Sequence, residues 1–308
     1  MAEENPEEPE KQETARSAHE GQVETKEFDP ISFSNDVTDG FTVMLCAQRR
    51  TGKTVLVTDL VARMQKVRTW KEVLLFSETA NSQRDAFPFV PEQNRIDHLD
   101  LGKLDELFKS QEQKKQLFTA GSLKAPHRVL VIADDVINSK AARDKGTFNR
   151  LFTQGRHFYI DVFSISQTVK GFHPMARSNA DLVVMWRSVK LDDRQSICED
   201  YLLIEDGPKR ECMRKALSIM NKISQVQYQA MVIAVYKGPY ARRTNDYVYH
   251  YKADPKAKAK MIGKGSTRRT PSVEHKHKYK DKKGKERVQH LRTRVGKKKK
   301  RRSGKRLE

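Results

Sequence analysis

The chain has 308 residues and a formal net charge of +20 at neutral pH. That length suits one α/β domain with tails or two small domains, so it decides little by itself. No stretch approaches the roughly 20 consecutive apolar residues that span a bilayer. The acidic start also lacks the basic and apolar parts of a signal peptide. We therefore expect a soluble, intracellular protein rather than a membrane or secreted one.

Charge is concentrated at the two ends. Residues 256–308 contain 23 Lys and Arg against 4 acidic residues, whereas the first 29 residues contain 10 acidic residues against 3 basic ones. Both ends have few large apolar side chains, so they cannot bury enough surface to offset the entropy of ordering. We predict a disordered acidic tail at residues 1–30, a folded domain at 31–254 and a disordered basic tail at 255–308.

The three cysteines, Cys46, Cys198 and Cys212, are odd in number and widely spaced in apolar or helical contexts. Cysteines of this kind indicate free thiols in a reducing compartment. No spacing typical of a zinc site is present.

Between the tails, short β-branched runs alternate with amphipathic segments, which predicts an α/β fold with a mostly parallel sheet flanked by helices. The predicted strands, in chain order, are Thr42–Ala47, Glu72–Ser77, Arg128–Ala133, Tyr159–Ser166, Leu182–Trp186 and Ala230–Tyr236. The predicted helices are Lys53–Lys66, Leu101–Leu117, Ala141–Phe152, Asp192–Leu203 and Lys209–Lys222.

A phosphate-binding loop is predicted between the first strand and the first helix. The segment fits the pattern G-x-x-x-x-G-K-[ST], with alanine at the first glycine position. In such a loop Lys53 would reach the β- and γ-phosphates, the Thr54 hydroxyl would contact Mg²⁺, and Gly52 would let the backbone approach the ligand. An ordinary basic turn remains the alternative. The predicted nucleotide-binding residues are Ala47, Arg49, Arg50, Thr51, Gly52, Lys53 and Thr54.

Two acids, Asp134 and Asp135, follow the apolar run Val129–Ala133. Downstream of a phosphate loop, Asp134 would hold Mg²⁺ and Asp135 would orient and deprotonate the attacking water. The structural alternative is an exposed turn, where Asp is common for its local hydrogen bonds.

The next predicted strand contributes two further candidates. Gln167 at its end could sense the γ-phosphate and hold the water, although Gln at a strand end is commonplace. Arg156 lies before the strand and could supply charge to the transition state of a neighbouring subunit. Its alternatives are a helix C-terminal cation or a surface ion pair.

The loop Arg49–Thr54, the pair Asp134–Asp135 and the run from Gly155 to Gln167 together resemble, in their order, the poxvirus-type genome-packaging ATPases of large double-stranded DNA viruses. These belong to the FtsK/HerA group of P-loop NTPases, and the resemblance covers roughly residues 40–190. This chain departs from the common pattern at Ala47, and at Asp135, where many of these pumps have Glu.

The resemblance implies ATP with Mg²⁺, a homo-oligomeric ring around double-stranded DNA, and a capsid protein at the packaging vertex as partner. It implies action in an infected host cell, in the nucleus or cytoplasm, with the virion as a further location. It also implies roles by position: Lys53 and Thr54 on the nucleotide, Asp134 on Mg²⁺, Asp135 as base, Gln167 as sensor and Arg156 as the arginine acting across subunits.

The basic tail ends in a dense cationic run that favours sequence-independent phosphate contact, because each neutralised phosphate releases counterions. Nuclear targeting and a merely solvated tail remain alternatives. The predicted DNA-binding residues are Lys297, Lys298, Lys299, Lys300, Arg301 and Arg302.

Two other functions share these motifs. A nucleotide or nucleoside kinase would also use the phosphate loop and Mg²⁺, but it needs an arginine-rich lid that we do not find. A DNA-binding scaffold protein with a degenerate ATPase site is left open by Ala47.

Overall fold

The computed structural model describes residues 25–83, 85–136, 146–172, 174–186, 190–202, 208–223, 225–241 and 246–263, and two strands at 273–280 and 286–293. The chain divides into two compact units, residues 1–263 and residues 264–308. The first unit carries the predicted nucleotide site.

Nine strands of the first unit form one sheet in the order β1-β9-β8-β7-β2-β6-β5-β3-β4 within the described residues. β8 runs antiparallel to β7 and β9, and the other neighbouring strands are parallel. The strands are β1 Lys26–Glu27, β2 Thr42–Cys46, β3 Trp70–Ser77, β4 Arg95–Ile96, β5 Arg128–Asp134, β6 Ile160–Ser166, β7 Leu182–Met185, β8 Gln229–Ala234 and β9 Val248–Lys252.

Successive side chains of a buried strand point to opposite faces, so this sheet has an apolar core on each face. Helices cover both faces. In β2, Met44 and Cys46 join one apolar core, while Val43 and Leu45 join the other. The helices are α1 Pro30–Asp36, α2 Lys53–Met64, α3 Leu101–Thr119, α4 Thr147–Thr153, α5 Pro174–Ser178, α6 Leu191–Tyr201 and α7 Lys209–Ile223.

The α/β prediction is confirmed, and all six predicted strands are present with ends shifted by at most two residues. The helix predicted at Ala141–Phe152 is observed as Thr147–Thr153, and residues 141–145 lie outside the described part of the chain. The sheet is larger than the prediction, because β1, β4 and β9 are short edge or near-edge strands with weak apolar patterns.

The ends of the folded domain differ from the predicted boundaries. β1 pairs with β9, and Phe28 is 4% exposed, so residues 26–30 are part of the fold rather than of a disordered tail. At the other end Ile262 is buried, and its N–H donates to the Phe89 carbonyl at 3.0 Å. Apolar anchors within charged sequence therefore extend the domain to residue 263.

The described residues of the second unit form an antiparallel pair of strands, β10 Val273–Lys280 and β11 Glu286–Thr293. The disordered basic tail stays a prediction. The run Lys297–Arg302 lies outside the described residues.

The amino ends of the central strands are tied together by a buried ion pair. Arg68 donates to both carboxylate oxygens of Asp161, at 2.7 and 2.8 Å, and the Trp70 indole donates to the same carboxylate at 2.6 Å. The Phe41 N–H donates to Asp161 at 3.1 Å, and both charged side chains are at most 2% exposed. We call Arg68, Trp70 and Asp161 the amino-edge cluster.

Candidate nucleotide site

The candidate site lies where three parallel strands end side by side. Cys46 of β2 pairs with Ser166 of β6, and Asp134 of β5 pairs with Ile165. Backbone bonds extend this alignment by one residue, because the N–H groups of Ala47 and Asp135 donate to β6 carbonyls at 3.0 Å. The predicted loop, acids and glutamine therefore leave the sheet at one edge, where open α/β sheets bind ligands.

The loop from Ala47 to Lys53 leads directly into α2. Gly52 is the N-cap with φ +93°, a left-handed conformation that favours glycine. Arg49 and Arg50 are exposed on the loop, and the Thr51 hydroxyl donates to the Gln48 carbonyl at 2.8 Å. The first N–H groups of α2 are thus available to an anion, which the helix dipole also favours.

Ala47 does not distort this loop. It is 4% exposed at the end of β2, and it is not among the residues with positive φ. Its backbone therefore does not require the glycine that is usual at this position.

Lys53 and Gln167 converge on a single carboxylate oxygen. The Lys53 Nζ lies 3.2 Å from Asp135 Oδ2, and the Gln167 Nε2 donates to the same oxygen at 2.9 Å. Asp135 has φ +55° and its side chain is 37% exposed, so it stands out from the strand end toward solvent. We call Lys53, Asp134, Asp135 and Gln167 the carboxyl-edge cluster.

Asp134 lies deeper at the same edge. Burial raises the pKa of its carboxyl above the ordinary value of 3.8, the charge of Lys53 opposes that rise, and Asp135 adds to it. The Ser77 hydroxyl donates to Asp134 Oδ2 at 3.2 Å. A half-buried carboxylate beside one lysine is suited to a further cation, which would favour its charged form.

Sequence reasoning missed three residues near this edge. Ser77 ends β3, and only the pairing of β3 with β5 places it against Asp134. Asp193 on α6 accepts the Val169 N–H at 3.0 Å, two residues beyond Gln167. Tyr228 packs against Gly52. The position of each of these residues depends on tertiary contacts. Only Ser77 had a signal in the sequence, because it is a polar residue at the end of a predicted strand.

Cys46 ends β2 directly before the loop. Burial, followed by the charge of Asp193, raises the pKa of its thiol to about 12. The thiol is therefore neutral and inert at physiological pH, and all three cysteines are free and buried, as expected.

Arg156 does not join the carboxyl-edge cluster. Its carbonyl accepts the Gly40 N–H at 3.0 Å, and a Cβ on Gly40 would lie 2.7 Å from the Arg156 Cα, so the two backbones are in close contact. The seven residues of β6 separate Arg156 from Gln167, a distance of roughly 20 Å at the rise of a parallel strand. Arg156 is exposed at the opposite edge of the sheet.

Residues 27–260 match the family model of the poxvirus A32 protein. This chain belongs to the poxvirus A32 protein family. Membership confirms the predicted resemblance to the poxvirus-type viral genome-packaging ATPases. It also confirms the prediction that the protein is an ATPase. The match also extends past both ends of the motif region on which the resemblance was based.

Among solved structures, the genome packaging NTPase B204 from Sulfolobus turreted icosahedral virus 2, in complex with ATP-gammaS, is 14% identical to this A32-family chain. Its TM-score is 0.45, over 70% of this chain and 98% of that one. EssC (ATPases 2 and 3) from Geobacillus thermodenitrificans is 12% identical, with a TM-score of 0.45 over 64% and 38%. Curated proteins give no match.

A magnesium ion fits the oxygen donors at this edge. Among the described residues of the A32-family chain, no group of three or more His, Cys, Asp and Glu could hold a metal by itself. Mg²⁺ instead binds commonly through one or two carboxylates together with substrate phosphates. Asp134 supplies such a carboxylate at the edge where the phosphate loop lies, and Thr54 is the second residue of the helix that follows this loop.

None of the helices in the described part of the chain has the length and apolar character that crossing a bilayer requires.

Proposed function

We propose that the chain hydrolyses ATP to move double-stranded DNA, and that this movement packages a viral genome into a capsid. The observation that carries the proposal is the convergence of Lys53 and Gln167 on one oxygen of Asp135. A phosphate-loop lysine, a carboxylate and a polar sensor are the groups that nucleotide hydrolysis needs at one place. Family membership supports the genome-packaging part.

The nucleotide phosphates bind to the loop Ala47–Thr54. The N–H groups that begin α2 donate to the phosphate oxygens, and Lys53 neutralises the β- and γ-phosphates. Thr54 and Asp134 would hold Mg²⁺, which when bound would supply positive charge to the phosphates. Ser77 orients the Asp134 carboxylate through its hydroxyl.

Asp135 acts as the general base toward the attacking water. A phosphate that attracts Lys53 weakens the contact of Lys53 with Asp135 Oδ2 and leaves that oxygen to accept a proton. Gln167 remains bonded to the same carboxylate, so its amide can orient the water between Asp135 and the γ-phosphate. Phosphate binding and base activation are linked through this one oxygen.

Arg156 acts in a neighbouring subunit of a homo-oligomeric ring. Its exposed position at the opposite edge from its own nucleotide site agrees with action on another chain. The basic run Lys297–Arg302 contacts DNA phosphates without sequence preference. A capsid protein at the packaging vertex, in the infected host cell, is the further partner we propose.

ATP hydrolysis measured with and without duplex DNA tests this function. We expect turnover that duplex DNA stimulates and that Lys53→Ala abolishes. Lys66→Ala, which removes an exposed lysine two residues beyond the carboxyl end of the same helix, should leave turnover unchanged. Turnover that ignores DNA and requires a nucleoside acceptor would establish the kinase alternative. No turnover by the parent protein would establish the scaffold alternative.

A further inference from the structure

Tyr228 lies directly on the phosphate loop. Its ring atoms Cδ1 and Cε1 are 2.9 and 3.2 Å from the position that a Cβ on Gly52 would occupy. The ring therefore fills the space that the missing side chain leaves. Any side chain at Gly52 would collide with Tyr228, in addition to the strain of φ +93°.

The strand order brings Tyr228 to this edge. Cys46 at the end of β2 pairs with Met185 of β7, and Met185 pairs with Met231 of β8. Because β8 is antiparallel to β7, its amino end lies beside the carboxyl ends of the parallel strands. Tyr228 immediately precedes β8, and its carbonyl accepts the Ala253 N–H at 2.9 Å, which fixes the turn.

Tyr228 also holds an unfavourable backbone conformation. Among the described residues, five that are not glycine have positive φ, and three of these belong to the candidate site: Arg50 at 63°, Asp135 at 55° and Tyr228 at 60°. For a bulky aromatic residue this conformation costs free energy, and its own side chain makes no local hydrogen bond that offsets the cost. Such strain is concentrated at ligand sites, where the surrounding structure enforces it.

We propose that Tyr228 binds the nucleoside part of ATP, with its ring packed against the purine base. The inference rests on the proposed function and deepens it. Backbone N–H groups and Lys53 account for the phosphates, but none of the polar groups assigned so far can recognise a flat apolar base. Tyr228 is half-buried: it packs on the second apolar core and against Gly52, and part of the residue stays exposed beside the loop. Aromatic rings stack on any purine, so ATP and GTP bind with similar affinity.

Calorimetric titration of the full chain with two probes, ATPγS and inorganic tripolyphosphate, both with Mg²⁺, tests the proposal. Tripolyphosphate can occupy the phosphate loop but carries no base. We expect Tyr228→Ala and Tyr228→Asn to weaken ATPγS binding about tenfold or more, as loss of one stacked base does, while tripolyphosphate binding stays unchanged. Asn is the matched variant because it tolerates the left-handed backbone without an aromatic ring.

Two controls complete the experiment. Tyr228→Phe keeps the ring and should retain the affinity of the parent for ATPγS. Tyr240→Ala removes a tyrosine that is 88% exposed beyond the other end of β8, and it should change neither affinity.

Equal weakening of both probes by Tyr228→Ala and Tyr228→Asn would show that the ring only supports the loop, and would overturn the proposal. Unchanged ATPγS binding in these variants would overturn it as well. If the parent protein bound neither probe, the proposed ATPase function itself would fail, which is a separate and recognisable result.

Discussion

The two edges of the central sheet each hold an aspartate beside a cation, and the two are built in opposite ways. At the amino edge, Asp161 is fully buried and accepts four hydrogen bonds, from Arg68 twice, from Trp70 and from the Phe41 backbone. At the carboxyl edge, Asp135 is 37% exposed and receives two contacts from the described residues, both at one oxygen. A carboxylate whose acceptor positions are filled stabilises the fold, whereas one with a free oxygen is able to accept a proton.

The two edges also differ in backbone strain. Of the five non-glycine residues with positive φ in the described part of the chain, Arg50, Asp135 and Tyr228 lie at the carboxyl edge, whereas Tyr159, directly before β6, is at the amino edge. A fold can maintain such strain where the strands are fixed elsewhere, and the amino-edge cluster fixes the starts of β3 and β6 and the entry to β2. The sheet thus combines a stabilising edge with an edge at which chemistry takes place.

Arg156 is the residue that could break this comparison, because it is a predicted functional residue at the stabilising edge. If it acts across subunits, Arg156→Ala should lower ATP turnover on the order of 10³-fold or more, since a trans-acting arginine stabilises the transition state. Mixing Arg156→Ala chains with Lys53→Ala chains should restore part of the activity, because each supplies what the other lacks. Lack of any restoration, with each variant folded, would assign Arg156 to the structural edge.

Asp135→Asn should separate chemistry from stability. We expect turnover to fall about 10²–10⁴-fold, the usual contribution of a general base, with the unfolding free energy unchanged. Asn is well tolerated at φ +55° and keeps an oxygen for Gln167. Steady-state hydrolysis and urea unfolding measure the two quantities. A variant that retained more than a tenth or so of the parent's turnover would exclude Asp135 as the base.

The corresponding Asp→Asn substitution at the amino edge should instead lower the stability and leave nucleotide affinity unchanged. Asp161→Asn leaves Arg68 buried without its counter-charge, and we expect it to lower the unfolding free energy by about 3–5 kcal/mol. ATPγS affinity of the molecules that remain folded should not change. Urea unfolding provides the test, and Glu112→Gln on the exposed face of α3 is the matched control. A loss below about 1 kcal/mol would mean that the amino-edge cluster does not hold the sheet.

Asp134→Asn should give the smallest change in stability, and it should raise stability rather than lower it. Burial raises the pKa of Asp134, so the folded state binds its proton more tightly than the unfolded state does. Stability from this group therefore falls as pH rises from 3.8 through the raised pKa, and Asn removes that loss. Without Mg²⁺, the variant should melt at a higher temperature than the parent at pH 7 and show no such gain below pH 3.8. A lower melting temperature at pH 7 would contradict this account.

The central strands and their motif residues could be predicted from sequence because their signals are local. Buried parallel strands have continuous apolar runs; Asp134 and Gln167 each follow such a run directly, and Lys53 is located by the phosphate-loop pattern that follows another. Ser77, Asp193 and Tyr228 could not be predicted, since their positions at the site depend on strand pairing and helix packing. The domain boundaries at residues 26–30 and 255–263 were wrong for a related reason. Single apolar anchors such as Phe28 and Ile262 are hidden in charged sequence.

Movement along DNA can be measured directly with a triplex substrate. A short third strand bound to a duplex is released when a motor passes along that duplex, and its fluorescence reports the release. We predict that the parent protein displaces the third strand with ATP but not with ATPγS, and that Asp135→Asn displaces none while still binding both nucleotides. Displacement by Asp135→Asn at the rate of the parent, or no ATP-driven displacement by the parent, would contradict a DNA-moving ATPase at the carboxyl edge.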